Sequence, residues 1–383
     1  MKVTTEGKIP IKCWATDVEE SAMVQAQNLS NLPFAFKHVA LMSDCHKGFG
    51  MPIGGVLATN GVVIPNAVGV DIFCGVIALK TTLEHLTTDQ IKTAMGKIRE
   101  VIPVGYDHHK EAQEWDGFRV APDIKIIQQE LNASKKQLGT LGSGNHFCEI
   151  QKGDDGYIWI MIHSGSRNFG YRIAKEYNKK AQELCARWFS NIPEFKGENG
   201  LAFLPIEEPV AKEYMEAMNY AGSFAQASRF KMMERVVDIL GTNFDNYGDA
   251  YNVSHNYCRW ENHFGKNVLV HRKGATSAQA GQVGVIPGSQ GTSSYIVEGL
   301  GNPESFNSCS HGAGRAMGRK QAKRTLNLED ELKKMEGVVH GIRSTNDLDE
   351  APGSYKDIDV VMENQKDLVK IVTKLKPLGV IKG

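Results

Sequence analysis

The sequence predicts an α+β fold: a single domain over residues 1–383, with β-sheets flanked by helices and a helical insertion at about 171–250. Three observations carry this. Short apolar runs of strand length, punctuated by glycine, fill the chain up to residue 80 and return in its second half. Two long stretches with helical apolar spacing, about 171–190 and 206–240, interrupt them. No repeat, low-complexity segment or linker composition marks a boundary. One continuous core is therefore expected, although 383 residues would accommodate about two to three domains.

In chain order, HVALMSD (38–44), GGVLATNGVVIP (54–65) and CGVIALKT (74–81) have strand character. A helix is expected at about 87–101, with Thr87 or Thr88 as its N-cap. Further strands are expected at YIWIMIH (157–163), NVLVHR (267–272), VGVIP (283–287) and SYIVEG (294–299). In the second helical stretch Met215, Met218, Phe224, Met232, Met233, Val236 and Val237 recur at roughly helical spacing, which predicts core packing rather than ligand recognition.

Composition narrows the class. The chain is 41% hydrophobic and 23% charged, as in globular proteins, and its 44 basic and 44 acidic residues cancel, so any basic footprint for nucleic acid must be local. The seven cysteines are scattered and form no CxxC pair, against a disulfide framework and against a zinc ribbon. No signal-peptide run opens the sequence, and no apolar stretch of about 18 residues occurs. A cytoplasmic protein with reduced thiols and no membrane partner is expected.

Polar chemistry concentrates in seven glycine-flanked turns that follow apolar runs: GVDIFCG (69–75), LGSGNHFCE (141–149), IHSGSRNFG (162–170), VSHNYCR (253–259), HRKGAT (271–276), PGSQGTSSY (287–295) and SCSHGAGR (308–315). Strand-end loops are where sites concentrate, and glycine lets backbone approach a ligand. Asp71 and Cys74 sit three apart on one such turn, and His146, His163 and His255 each occupy another. A carboxylate, a thiolate and three imidazoles suit one or two borderline divalent ions, zinc before manganese on ligand chemistry alone. Taken singly, each of these residues is more often structural; the recurring pattern favours a metal site.

A phosphate site is expected next to His311, which precedes a basic segment. Arg315 and Arg319, four apart, are expected on one face of a helix whose first N–H groups would add to the attraction. The alternative is a solvated basic helix. PGSQGTSS offers hydroxyls and glycines for a nucleotide. DCHKGFG (44–50), with Asp44, Cys45 and His46, is expected as a glycine turn in a supporting role, while Cys148 and Cys258 are expected to pack against strands.

The ordered set DIFCG, GSGNHF, HSGSR, SHN, HRKGAT, PGS, SHGAGR, EAPGSYKDI (350–358) and LKPLGVIKG resembles the RtcB RNA ligases, from about residue 38 to Gly383. The resemblance implies a large RtcB-like domain with two metal ions. Asp71, Cys74 and His146 would hold one, and Cys74, His163 and His255 the other. Manganese replaces zinc as the expected metal. The resemblance further implies that GTP guanylylates His311. Asn145, His146, Phe147, Cys148, Glu149, His255, Asn256, Pro287, Gly288, Ser289, Gln290, Ser294, Gly312, Ala313, Gly314 and Lys382 would line the guanylate pocket, with Tyr355 stacking near the base. Arg167 would hold substrate phosphate, beside Arg315 and Arg319. Gln290 and Ser293 depart from the Met and Ala common in the family. The implied substrate is RNA with a 3′-phosphate or 2′,3′-cyclic phosphate and a 5′-hydroxyl, in tRNA splicing or RNA repair, with room for an activating protein partner.

Two other classes compete on the residues alone. A binuclear metallophosphoesterase would use similar ligands but needs neither the SHGAGR turn nor Lys382. A non-catalytic RNA binder needs an aromatic platform or basic surface, and the chain is 8% aromatic with no net charge.

Overall fold

A computed structural model of the chain describes residues 1–192, 197, 199–242 and 250–383. Helix and strand are mixed, as expected, around two main sheets. The first contains Lys2–Thr4, Ile11–Cys13, Ala35–Phe49, Met51–Thr59, Lys266–Lys273 and Asn256–His263, in that spatial order. The second runs Ala250–Ser254, Gly75–Lys80, Ile158–Ser164, Phe147–Gly153, Val369–Lys382, Ser294–Gly299 and Val283–Ile286, and its two outermost strands approach each other. One chain segment joins the sheets: Ala250–Ser254 ends the second, His255 intervenes, and Asn256–His263 begins the edge of the first.

Both faces of the second sheet are covered, which explains its long apolar runs. Alternation sends Ile77, Leu79, Ile150, Ile160 and Ile162 to one side, against Ile91, Met95 and Ile98 of the helix Thr88–Val101 and Met232, Met233, Val236 and Val237 of the helix Pro209–Leu240. Val76, Ala78, Phe147 and Met161 face the other side, with Val285, Ile296, Leu348 and Ala351. Each such side chain stabilises by roughly 1.5–3 kcal/mol, so a charge at Ile162 would cost the sheet its seat on the helix. Thr87 caps Thr88–Val101 through a reciprocal pair with Gln90.

The two expected long helices are Arg167–Arg187 and Pro209–Leu240. They pack against each other and the second lies on the sheet, so this region is built into the core rather than appended to it. Residues 193–196, 198 and 243–249 of the expected insertion lie outside the described residues. DCHKGFG is not a glycine turn: Asp44 to Phe49 continue the strand Ala35–Phe49, whose register shifts at His46 and Phe49.

Candidate metal and nucleotide site

Antiparallel pairing in the second sheet brings five strand ends into one row. Ser254 is opposite Gly75, Gly75 opposite Ser164, His163 opposite Phe147, and Phe147 opposite Lys382. Cys74, His146 and His255 each stand one residue beyond a strand end in this row, and His163 stands within it. Residues 181 apart in sequence, Cys74 and His255, are thus adjacent, and the His255 N–H donates to the Cys74 carbonyl at 2.9 Å.

The side chains form two overlapping groups, Asp71–Cys74–His146 and Cys74–His163–His255, each with its ligand atoms within 4.8 Å of one another. Cys74 Sγ belongs to both, 3.4 Å from His146 Nε2 and 3.2 Å from His163 Nε2. His163 Nε2 lies 3.4 Å from His255 Nε2, and His146 Nε2 lies 3.1 Å from Asp71 Oδ2. The Nδ1 atoms of His146 and His163 face the carbonyls of Leu141 (3.0 Å) and Asn145 (3.2 Å). A carbonyl only accepts, so each Nδ1 carries the proton and each Nε2 turns a lone pair inward. The Ser166 N–H, donating to Asp71 Oδ1 at 3.2 Å, positions the carboxylate. Gly165 is needed there, since a Cβ would come within 2.1 Å of that oxygen.

This donor set fits a divalent cation. Nε2 of His163 and His255 converges with Cys74 Sγ, and loss of the thiol proton would leave donor atoms only. Burial and the neighbouring imidazoles hold His163 and His255 well below the usual histidine range, hence neutral, the form that ligates. Burial and Asp71 push the Cys74 thiol well up, so a thiolate there requires a cation beside it. Burial works to raise the Asp71 carboxyl; with no cation bound, a protonated His146 ring, donating from Nε2 as well as Nδ1, outweighs burial and holds the carboxyl below the usual range.

His311 borders the same cluster, its ring centroid 4.6 Å from that of His255. Its Nδ1 donates to Asp44 Oδ2 at 2.6 Å, and the His311 backbone N–H reaches the same oxygen at 3.2 Å. Asp44 is fully buried in its strand. Gly314 makes the approach feasible: its φ is +73°, and a Cβ would lie 2.3 Å from the Asp44 carbonyl.

Residues of the expected guanylate pocket gather beyond His311. Lys382 Nζ lies over the Phe147 ring at 5.3 Å and the Tyr355 ring at 5.8 Å. Glu149 is buried, and Gln151 Nε2 donates both to it (2.6 Å) and to Ser294 Oγ (3.1 Å). Burial raises the Glu149 carboxyl to about 7 against the opposing charge of Lys382. Pro287 O accepts from the Ala313 N–H at 3.0 Å, Gly288 N–H donates to Ser294 Oγ, and Ser289 closes a turn with Thr292. Asn256 donates to the Asp71 carbonyl and accepts from the Gly274 N–H, and Gln290 donates to the Glu350 carbonyl at 2.7 Å. The Cys148 side chain packs against strands, as expected, rather than facing Glu149. Strand alternation turns it away from Phe147 and Glu149, into the core with Ile77 and Ile150.

The arginines also differ in setting. Arg315 is not helical; it bridges to Tyr355, and the helix begins only at Arg319, after Gly318. The expected helix N-terminus beside His311 is therefore absent, because the glycine-rich GAGRAMG segment stays irregular. Arg315 and Arg319 nevertheless converge, both 3.0 Å from Glu350 Oε1, while Tyr355 OH donates to Oε2 and Lys382 Nζ lies 3.6 Å from it. Arg167 has a φ of +58°, and its side chain donates to Thr140 Oγ1 and the Gly105 carbonyl, both at 3.1 Å. Asp44 was expected in a supporting role, though in a glycine turn rather than a strand, whereas no local pattern singled out Glu350. Asp44 sits in an apolar strand, and Glu350 opens the EAPGSYKDI stretch.

The family described as tRNA-splicing ligase RtcB matches residues 25–383. The chain is 38% identical to the RNA-splicing ligase RtcB of Escherichia coli K12, over 100% of this chain and 99% of the relative. It is 31% identical to the tRNA-splicing ligase RtcB of Pyrobaculum aerophilum, over 98% and 95%, and 32% identical to the RNA-splicing ligase RtcB of Mycobacterium tuberculosis, over 94% and 100%. Among the described residues no helix is long and apolar enough to cross a membrane.

Proposed function

The chain belongs to the RtcB family and is an RNA ligase, and we propose that it joins RNA 3′-phosphate or 2′,3′-cyclic phosphate ends to 5′-hydroxyl ends with GTP and two Mn²⁺ ions, through a guanylate carried on His311. The observation that carries this reading is the Asp44–His311 pair beside the metal-ligating groups. With Nδ1–H committed to Asp44, the remaining nitrogen, Nε2, is a neutral nucleophile of fixed orientation.

Asp71, Cys74 and His146 would hold one ion and Cys74, His163 and His255 the other, and two divalent ions there supply Lewis-acid neutralisation of phosphate charge. His311 Nε2 attacks the α-phosphorus of GTP; a P–N bond forms and pyrophosphate leaves. Asp44 steadies the positive charge that develops on the ring. The guanylate then passes to the RNA 3′-phosphate, a 5′-hydroxyl attacks the activated end, and GMP departs. A cyclic phosphate is first opened by hydrolysis. Arg167, Arg315 and Arg319 would hold phosphate oxygens.

Glu149 and Lys382 offer an acceptor and a donor side by side, with Phe147 and Tyr355 as ring neighbours. Guanine presents N1–H and N2–H donors beside an O6 acceptor, the complement of that pair; adenine presents the reverse. The reaction belongs in the cytoplasm, in tRNA splicing or RNA repair. The test is label transfer: wild-type protein incubated with labelled GTP and Mn²⁺ should carry label through denaturing electrophoresis, in an acid-labile, base-stable linkage. His311→Ala should carry none while retaining both metals; labelling of the alanine variant through such a linkage would refute the assignment.

A further inference from the structure

Behind the ligand cluster, on the helix Pro209–Leu240, Arg229 is fully buried. Among the described residues no carboxylate pairs with its guanidinium. Its donors go to neutral groups: Nε to Asn252 Oδ1 at 2.7 Å, one terminal nitrogen to the carbonyls of Phe73 (3.0 Å) and Ser164 (2.8 Å), and the other to Ser254 Oγ at 3.2 Å.

The positions of those acceptors are selective. Phe73 precedes Cys74, Ser164 follows His163, and Ser254 precedes His255. Each member of the Cys74–His163–His255 group thus has a chain neighbour tied to one guanidinium. Of the other group, only the shared Cys74 has one; the neighbours of Asp71 and His146 receive nothing from Arg229. Burying an unpaired cation costs several kcal/mol, and an apolar side chain of similar volume avoids that cost. Burial lowers the guanidinium to about 10, opposed by Cys74, when ionised, and Asp71, so it stays charged near neutrality.

We infer that Arg229 is a positioning residue for the Cys74–His163–His255 ion, fixing the spacing of three segments that come from three separate strands. The inference rests on the two-ion reading above. A guanidinium can do this because its planar fork directs several donors outward at fixed angles; an ammonium, whose donors all sit on one nitrogen, cannot span the same acceptors.

The test titrates Co²⁺, whose thiolate absorption reports on Cys74, into full-length wild type, Arg229→Lys, Arg229→Met and Asn252→Ala. His255→Ala and His146→Ala serve as references for loss of one ion or the other, and circular dichroism follows the fold. Wild type should take up two ions. Both Arg229 variants should bind one of them roughly 10- to 100-fold more weakly, leaving a residual spectrum that matches His255→Ala and not His146→Ala. Asn252→Ala, which loses a single anchor on a half-buried residue, should show a smaller loss of the same ion. Should Arg229→Met unfold, Arg229→Lys and Asn252→Ala decide the matter. Wild-type binding in Arg229→Lys, or equal weakening of both ions, overturns the inference. Fewer than two ions on wild type overturns the metal reading beneath it instead.

Discussion

Asp44→Asn should separate the first chemical step from the rest. The substitution keeps the shape of the side chain and its ability to accept from His311 Nδ1–H, but removes the charge. In the structure Asp44 Oδ2 receives two donors from His311, at 2.6 and 3.2 Å, within a fully buried strand, so little solvent screens the interaction. A hydrogen bond to a charged partner is worth about 1.5–3 kcal/mol, and each 1.36 kcal/mol is about tenfold in rate. The guanylylation rate should therefore fall about 10- to 100-fold, because the ring must become positive as its Nε2 attacks. Single-turnover labelling with GTP measures this step. Ligation of RNA already bearing a 3′-guanylate should fall far less, since the nucleophile has finished by then. Fold should be retained: Asp44 Oδ1 has no hydrogen-bond partner, so losing a buried charge there removes a desolvation cost. An Asp44→Asn protein that is folded and guanylylates within twofold of wild type would refute this reasoning.

Cys74→Ser should be more damaging than any single histidine substitution, because Sγ belongs to both ligand groups; metal counts by mass spectrometry at matched Mn²⁺ should fall below those of His163→Ala, and serine retaining two ions would sink the bridging idea. GTP half-saturation should improve from pH 6 to 8 as Glu149, raised to about 7, ionises, and Glu149→Gln should flatten that profile. The same shift lies above the ordinary value, so Glu149 stabilises the fold fully below about pH 4.5 and this contribution is lost as pH rises through about 7; at about 2.5 pH units and 1.36 kcal/mol each, Glu149→Gln should gain up to about 3 kcal/mol in urea melts at pH 8. Lys382→Met should raise the GTP requirement and weaken discrimination against ATP, and an unchanged GTP/ATP ratio would remove Lys382 from base recognition.

The five metal-ligating candidates were legible because each combined a ligand side chain with glycine at the end of an apolar run, the pattern that a row of strand ends imposes. What stayed hidden depends on long-range placement. The supporting role expected of Asp44 was legible, but its pairing with His311, 267 residues away, was not, and the glycines after it suggested a turn where the strand continues. Arg229 lies within a helix whose methionines do pack in the core, and nothing in that periodicity distinguishes a buried arginine from a solvated one. The strand Val369–Lys382 was missed because Pro377 and Gly379 argue against a central strand; the register shifts between them, and this bulge lets the chain pair with Phe147–Gly153 on one side and Ser294–Gly299 on the other. The basic helix was foreseen in the wrong place for a related reason: glycines at 312, 314 and 318 keep the segment irregular until Arg319.

Glu350 explains how three cations can gather in one place. Arg315, Arg319 and Lys382 would repel one another if left alone in a partly buried pocket. Their shared carboxylate draws them together, and although burial works to raise it, their charges hold it below the usual range. Three positive charges outnumber the one carboxylate they share, so under the proposed reading phosphate would be attracted to Arg315 and Arg319 without displacing Glu350. The carboxylate therefore sets the geometry of the cations without cancelling their field. In the proposed reading the two guanidiniums would be fixed before phosphate arrives and the ammonium before guanine does, which would lower the ordering cost of binding. The same arrangement appears at the candidate metal site, where backbone carbonyls face the imidazoles of His146 and His163 and Arg229 ties the segments that bear Cys74, His163 and His255. Both halves of the site are thus preorganised by groups that would touch neither phosphate nor metal.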